Sequence, residues 1–307
     1  MAALVVAAPG LSAPRTTDTA APFVIAVPPG GQPHIPLAIK RGNLDVRLAL
    51  SFDTALILNS GPAARAELKA FPLIGKRTFK NALIPGGEAT FRGNLYSVLP
   101  RGLPKSTVPA IWVDKPIAGD ADGVLPLSAL NADHIVLVLG PQAPGSIVYT
   151  ITRKSKGSAM METVIGGEKV DISLELNSPD TVMNARAAAA LVAAGLVKRA
   201  GSIGYWGPFP GVNLPYERLA PVAGAKLIGL PLRRPAARVT EAEARAIDVR
   251  ANAGTSTAND DEDAITVTAS RKKGRDPWIL IGRDVLGSCS RIEFDRPGKV
   301  WRLTCAF

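Results

Sequence analysis

Leu44-Asp45-Val46-Arg47-Leu48-Ala49-Leu50-Ser51 and Val170-Asp171-Ile172-Ser173-Leu174-Glu175-Leu176-Asn177 are the two stretches on which the fold turns. Both alternate apolar and polar residues, the period of a strand with one buried face. The first is followed by Asn59-Ser60-Gly61, which reads as a turn, and by an alanine-rich helix from Pro62 to Ala70. The second is followed by Ser178-Pro179-Asp180-Thr181 and a longer alanine-rich helix from Ala185 to Ala194. Much later each half closes on an apolar run, Gly123-Val124-Leu125-Pro126-Leu127-Ser128-Ala129-Leu130 in one and Ile279-Leu280-Ile281-Gly282-Arg283-Asp284-Val285-Leu286 in the other. A unit of strand, sharp turn and helix is thus written twice, at a period of roughly 120 residues, which specifies two similar lobes rather than a solenoid.

The composition agrees with such a plan. The chain has 307 residues of which 47% are hydrophobic, enough to bury a core in each of two lobes without a metal. Helical patterns are few, while runs of Val, Ile, Thr and Leu are punctuated by 29 Gly and 26 Pro, so the fold class expected is mainly β. No apolar stretch approaches the ~18 residues of a membrane span. Ala2 to Ala8 followed by Leu11-Ser12-Ala13 resembles the end of an export leader, although no basic residue precedes it.

Cys289 and Cys305 are the only cysteines, eight residues either side of Pro297. Folding this segment as a hairpin about Pro297-Gly298 sets them opposite one another, ready for a disulfide, with two buried thiols as the alternative. Together with the leader-like start, this predicts a periplasmic or secreted bacterial protein. The net charge of +10 is scattered, and aromatic residues make up only 5%, so a nucleic-acid partner is not expected.

Residues 1–32 read as a leader-like segment and linker, with Pro28-Pro29-Gly30-Gly31 a turn lacking the strand and helix a phosphate loop needs. The N-terminal lobe is placed at 33–140, closing on a strand from Asp133 to Leu139, and Gly140 to Gly145 crosses to a C-terminal lobe at 146–307. Glu162-Thr163-Val164-Ile165 with Gly166-Gly167 opens the second lobe as a hairpin. The second unit is longer by roughly 30 residues, assigned to a mobile surface insertion at about 240–272 with helical character at Glu241 to Arg245.

This order of parts resembles the pepsin and retropepsin superfamily of aspartic peptidases, in particular its two-lobed bacterial members. The resemblance runs from about residue 35 to the end, and Ile281-Gly282-Arg283-Asp284-Val285-Leu286 matches the family's late strand-to-helix signature. It implies a bilobed acid-protease fold of two pseudo-symmetric β lobes with short helices, a monomer without cofactor or metal, and an interlobe cleft for an extended peptide or protein. Family chemistry needs one carboxylate from each lobe sharing a proton across a bound water. Neither Asp-Thr-Gly nor Asp-Ser-Gly occurs in the chain.

Aligned on their apolar alternation, the two strands put Ser51 and Asn177 in the catalytic slots, and neither can act as the base. A shifted register offers Asp53-Thr54-Ala55 and Asp180-Thr181-Val182, making Asp53 and Asp180 a variant dyad, or else two turn aspartates bonded to local backbone. Asp284 matches a position that supports the active loop, with Ser128 its counterpart and Pro126 where glycine is expected. Tyr96, in a hairpin from Ala89 to Leu99 turning at Arg92-Gly93-Asn94, is a flap candidate or simple cross-strand contact. His34 and His134 are too few for a metal site or a convincing serine triad. The function expected is therefore a peptide- or protein-binding pseudopeptidase that grips its ligand as an added strand. The alternatives are an active aspartic endopeptidase using Asp53 and Asp180, and a structural envelope protein using the insertion as its contact.

Overall fold

A computed structural model describes residues 21–51, 55–72, 74–80, 86–152, 161–252 and 276–307. The first half runs β1 (Phe23–Ala26), β2 (His34–Ile39), β3 (Gly42–Ala49), β4 (Leu56–Asn59), α1 (Ser60–Arg65), β5 (Lys76–Lys80), β6 (Glu88–Pro100), β7 (Ser106–Val113), β8 (Gly123–Pro126), a 3-10 turn at Leu127–Ala129, and β9 (His134–Val138). The second half runs β10 (Ile147–Thr152), β11 (Met161–Ile165), β12 (Glu168–Leu174), β13 (Thr181–Met183), α2 (Ala185–Ala193), β14 (Val197–Phe209), β15 (Val212–Pro221), β16 (Lys226–Leu227), β17 (Leu230–Pro231) and β18 (Pro235–Arg238). It ends with α3 (Glu241–Asn252), β19 (Trp278–Ile281), α4 (Arg283–Leu286), β20 (Cys289–Asp295) and β21 (Val300–Cys305). The protein is mainly β, as its punctuation predicts.

Two seven-stranded sheets carry the repeat. One has the order β2-β3-β8-β4-β7-β6-β5 and the other β11-β12-β19-β13-β18-β15-β14. The strand order is the same in both, and the first sheet adds a pairing of β2 with β6. In each, the late strand runs parallel to the first long strand on one side and antiparallel to a short strand on the other. Alternation builds both cores: Leu44, Val46 and Leu48 in β3, and Val170, Ile172 and Leu174 in β12, are all buried. Gly166 and Gly167, with φ of 56° and 83°, form the two-residue turn of the β11–β12 hairpin, a conformation that glycine adopts without steric cost.

The short strands β4 and β13 are absent from the simple reading of strand, turn and helix. Asn59 ends β4 and Ser60 begins α1, so Asn59-Ser60-Gly61 is not a free turn, and α1 stops at Arg65 rather than reaching Ala70. Leu56 and Leu58 are fully buried because β4 lies between β8 and β7, a tertiary pairing that four residues of sequence do not announce. Asn59 and Asn184 occupy matching places. The Asn59 side chain bonds Ala118 O and Ala121 O and accepts from Ile117 N, while Asn184 caps α2 at Ala187 N and donates to Asp276 O.

A third sheet, of order β1-β9-β20-β21-β10, takes strands from both halves. Residues 23–26, assigned by sequence to a linker, are its first strand, paired parallel with β9 from Phe23↔Ile135 to Ala26↔Val138. The hairpin of β20 and β21 forms as expected, and Cys289 and Cys305 are joined by a disulfide across it.

Two further expectations are corrected. Residues 89–99 are no hairpin: β6 is one 13-residue strand whose Arg92-Gly93-Asn94 stretch pairs with Trp112, Ile111 and Ala110 of β7. Within that strand the Tyr96 hydroxyl donates to Lys69 O at 2.9 Å and accepts from Lys69 N at 2.6 Å. The expected surface insertion begins as an ordered helix. Thr240 and Glu243 form a reciprocal capping box, and Ala244 and Ile247 are buried where α3 meets β14 and β15. The remainder of that segment, like the leader-like residues 1–20, lies outside the described residues.

Candidate functional site: the cavity between the two sheets

A cavity of about 710 Å³ is walled by both seven-stranded sheets. Arg47, Ala49, Ser51, Ile57, Val124 and Pro126 line it from the first half. Glu175, Asn177, Trp206, Phe209, Trp278 and Leu280 face them from the second.

The ladders fix which residues of the two halves correspond. β3 pairs Val46 with Gly123 and Leu48 with Leu125, while β12 pairs Ile172 with Ile279 and Leu174 with Ile281. β4 pairs Leu58 with Gly123, and β13 pairs Met183 with Ile279. Counting from these anchors, Ser51 and Asn177 hold equivalent places just past the first strands, and both reach the cavity. Counting back from the short strands, Asp180 corresponds to Ala55 and not to Asp53. Asp53 itself lies outside the described residues.

Asp180 is only 4% exposed and does not line the cavity. Its carboxylate is committed elsewhere, to Arg218 Nη1 at 2.9 Å, Arg234 Nε at 3.1 Å and the Tyr216 hydroxyl at 3.0 Å. Asp284 ties down the same loop: it accepts from Thr181 Oγ1 and from Arg234 N, both at 2.9 Å, and its own N–H donates to Pro179 O. Burial raises the Asp284 carboxyl above the ordinary carboxylate value, against those two hydrogen bonds. Gly282 lets this loop close, because a Cβ there would meet Asp180 O at 2.2 Å. Pro126 and Ser128 hold the equivalent places in the first half.

Arg47, Glu175 and Asn177 of the lining belong to a polar row that sequence reasoning missed. Arg47 Nη1 donates to Asn177 Oδ1 and to Asp120 Oδ1, each at 3.2 Å, and Gln32 Nε2 donates to Leu176 O at 2.8 Å. Asn177 N donates to Glu175 Oε1 at 2.7 Å. Burial raises the Glu175 carboxyl above its usual value, opposed by that backbone hydrogen bond and by the Arg47 and Arg283 guanidinium charges. Arg283 donates to Leu176 O in its own half and crosses to the other at Gly30 O and Gly31 O. In the sequence Arg47 and Glu175 stand as charges between apolar neighbours, a pattern that by itself reads as solvent-facing.

Among the described residues Glu175 is the only carboxylate lining the cavity. Its equivalent in the first half is Ala49, so it has no symmetric partner with which to share a proton. Trp206 and Trp278 form the aromatic part of the wall, with ring centroids 6.4 Å apart and planes inclined at 46°.

The histidines are engaged with carboxylates: His34 Nδ1 lies 2.9 Å from Asp45 and His134 Nδ1 lies 3.7 Å from Asp295. Among the described residues no three His, Cys, Asp or Glu side chains gather as metal ligands. None of the helices among them is long and apolar enough to cross a membrane. No protein-family model matches this chain, and no curated protein matches it in sequence.

Proposed function

We propose that this protein is a bilobed, pepsin/retropepsin-like pseudopeptidase that binds a peptide or an extended protein segment in the cavity between its two sheets. The observation that carries the reading is the place of Asn177. It occupies the slot after the first strand of a twice-repeated sheet, with Ser51 in the matching slot, and both face the cavity. An amide and a hydroxyl cannot split a proton as paired carboxylates do. Among the described residues Glu175 is the one acid of the lining, where hydrolysis by this chemistry needs two. The fixed Asp180, held by two arginines and a tyrosine, supports a structural role for that residue. The disulfide favours an oxidising, exported location, and the protein acts as a monomer.

Two measurements test this together. Wild type and Asp53→Asn, both verified as folded, are incubated with an unfolded protein substrate between pH 3 and pH 6. No cleavage is expected from either; cleavage by wild type that is lost in Asp53→Asn overturns the pseudopeptidase reading in favour of an active endopeptidase. A photo-crosslinking peptide is then expected to attach to cavity residues near Asn177 and Trp206. Labelling confined to other surfaces overturns the peptide site.

A further inference from the structure

We propose that the outer edge of β5 is a second recognition site, which captures an extended segment of a partner protein, alternating acidic and apolar residues, as an added strand. It lies in the first half, shares no lining residue with the cavity between the sheets, and does not depend on the reading of that cavity.

β5 ends its sheet and, among the described residues, pairs with β6 alone. Its other side is a free ladder of N–H and C=O groups, the template on which an extended chain adds a strand. All five of its residues are exposed. Side chains alternate between the two faces of a strand, and the ladder fixes which residues share a face. Arg77 and Phe79 stand on one face, across from Phe91 and Ala89. That face bears a groove of about 820 Å³ walled by Phe71, Ile74, Phe79, Phe91, Leu95 and Ile111. Ile74 and Leu95 are 68% and 65% exposed, and Phe79 meets Phe91 edge-on with ring centroids 5.2 Å apart. Contiguous apolar surface left open in this way marks a contact site.

The opposite face is basic. Lys76 stands directly across from Arg92, a like-charge pair that costs stability unless an anion relieves it. Lys80 shares that face, with Glu88 across from it. Lys76, Arg77, Lys80 and Arg92 have no ion pair or side-chain hydrogen bond among the described residues. Residues 68–95 carry five basic side chains against the single acid Glu88. The members of that run outside the described residues, 73 and 81–85, are uncharged, so the balance is complete for the run. Asp114, which accepts from Thr90 N at 2.9 Å, is followed by Lys115, so the end of β7 adds no net charge.

Two faces of different chemistry at one edge suit a strand whose side chains alternate, apolar over the groove and acidic over Lys76, Lys80 and Arg92. A lipid surface would lie against one face and leave the ladder of β5 unpaired. A second copy of β5 would set lysine against lysine, and charged edges of this kind prevent self-pairing. An acidic, alternating guest is the one that meets the ladder, the groove and the charge together.

The test uses the full chain and short fluorescein-labelled peptides, read by anisotropy at 50 mM salt and by amide hydrogen exchange of the complex. The probes are an alternating Glu-Val peptide, its Lys-Val counterpart, and a Glu-Val peptide of the same composition with all its glutamates in one block. The alternating Glu-Val peptide is expected to bind at least tenfold more tightly than the Lys-Val form and to slow exchange within residues 76–80. Raising the salt to 0.5 M should close most of that gap. Lys76→Glu combined with Lys80→Glu, at exposed positions that leave the core untouched, should reverse the preference toward the Lys-Val peptide. Ile74→Ser should weaken Glu-Val binding several-fold. Equal binding of the block peptide overturns strand addition, as does protection confined to the walls of the cavity between the sheets. Binding to phosphatidylglycerol vesicles with none to any peptide assigns the surface to lipid and overturns the proposal. Binding of no probe by a protein shown to be folded overturns it as well.

Discussion

Glu175 shows how one residue reports the character of the site. Its carboxyl is raised because burial opposes ionisation more strongly than Asn177 N, Arg47 and Arg283 favour it. A carboxyl raised in the folded state binds more protons than its unfolded counterpart at pH values above the ordinary carboxylate range. Stability therefore falls as pH rises through that window. Glu175→Gln keeps an acceptor for Asn177 N and removes the charge. The variant is expected to be more stable than wild type in urea at pH 7, with the difference vanishing as pH falls to about 4. A variant less stable at pH 7 would mean that the Arg47 and Arg283 attractions outweigh burial. At this scale the sequence was partly legible. Asn177 was visible as the residue in the slot. Glu175 and Arg47 were hidden, because a charge within an alternating strand reads as solvent-facing until the opposite sheet is known.

At the scale of elements, the helix α3 and the β20–β21 hairpin are the informative pieces. Thr240 and Glu243 cap α3, and Ile247 is 3% exposed. Ile247→Ala should cost about 2–4 kcal/mol, the range for a buried large-to-small change, as measured by denaturant unfolding. A cost below about 0.5 kcal/mol would show that the helix is not docked on β14 and β15 in solution. The capping box was readable, since its residues sit three apart in sequence. The docking was not, because a short helix with two apolar contacts looks like any polar surface segment. The hairpin was legible in its turn at Pro297-Gly298 and in the facing of the cysteines, while the register shift between Cys289 and Arg291 was not.

For the whole molecule, the five-stranded sheet decides how the halves behave together. β1 and β9 come from the first half and β10, β20 and β21 from the second, with Phe294 pairing Ile135 and Ile292 pairing Leu137 across the junction. Neither half can lose that sheet alone, so a single calorimetric transition is expected. Two resolved transitions would show independent halves. The disulfide encloses a sequence separation of 16, and opening it with Cys289→Ser and Cys305→Ser should lower that transition by about 3 kcal/mol in the chain-entropy account. The bond between Cys289 and Cys305 is seen in the fold, while the duplication, the mainly β class and the hairpin that sets those cysteines opposite one another follow from the amino-acid pattern alone. Each is written in local periodicity, turn residues and spacing. The short strands β4 and β13, the pairing of β1 with β9, the isolation of Asp180 from the cavity and the facing of Trp206 toward Trp278 were decided only by tertiary structure. Each joins segments far apart in the chain, and their pairing is set by which faces remain to be buried once both halves have folded against one another.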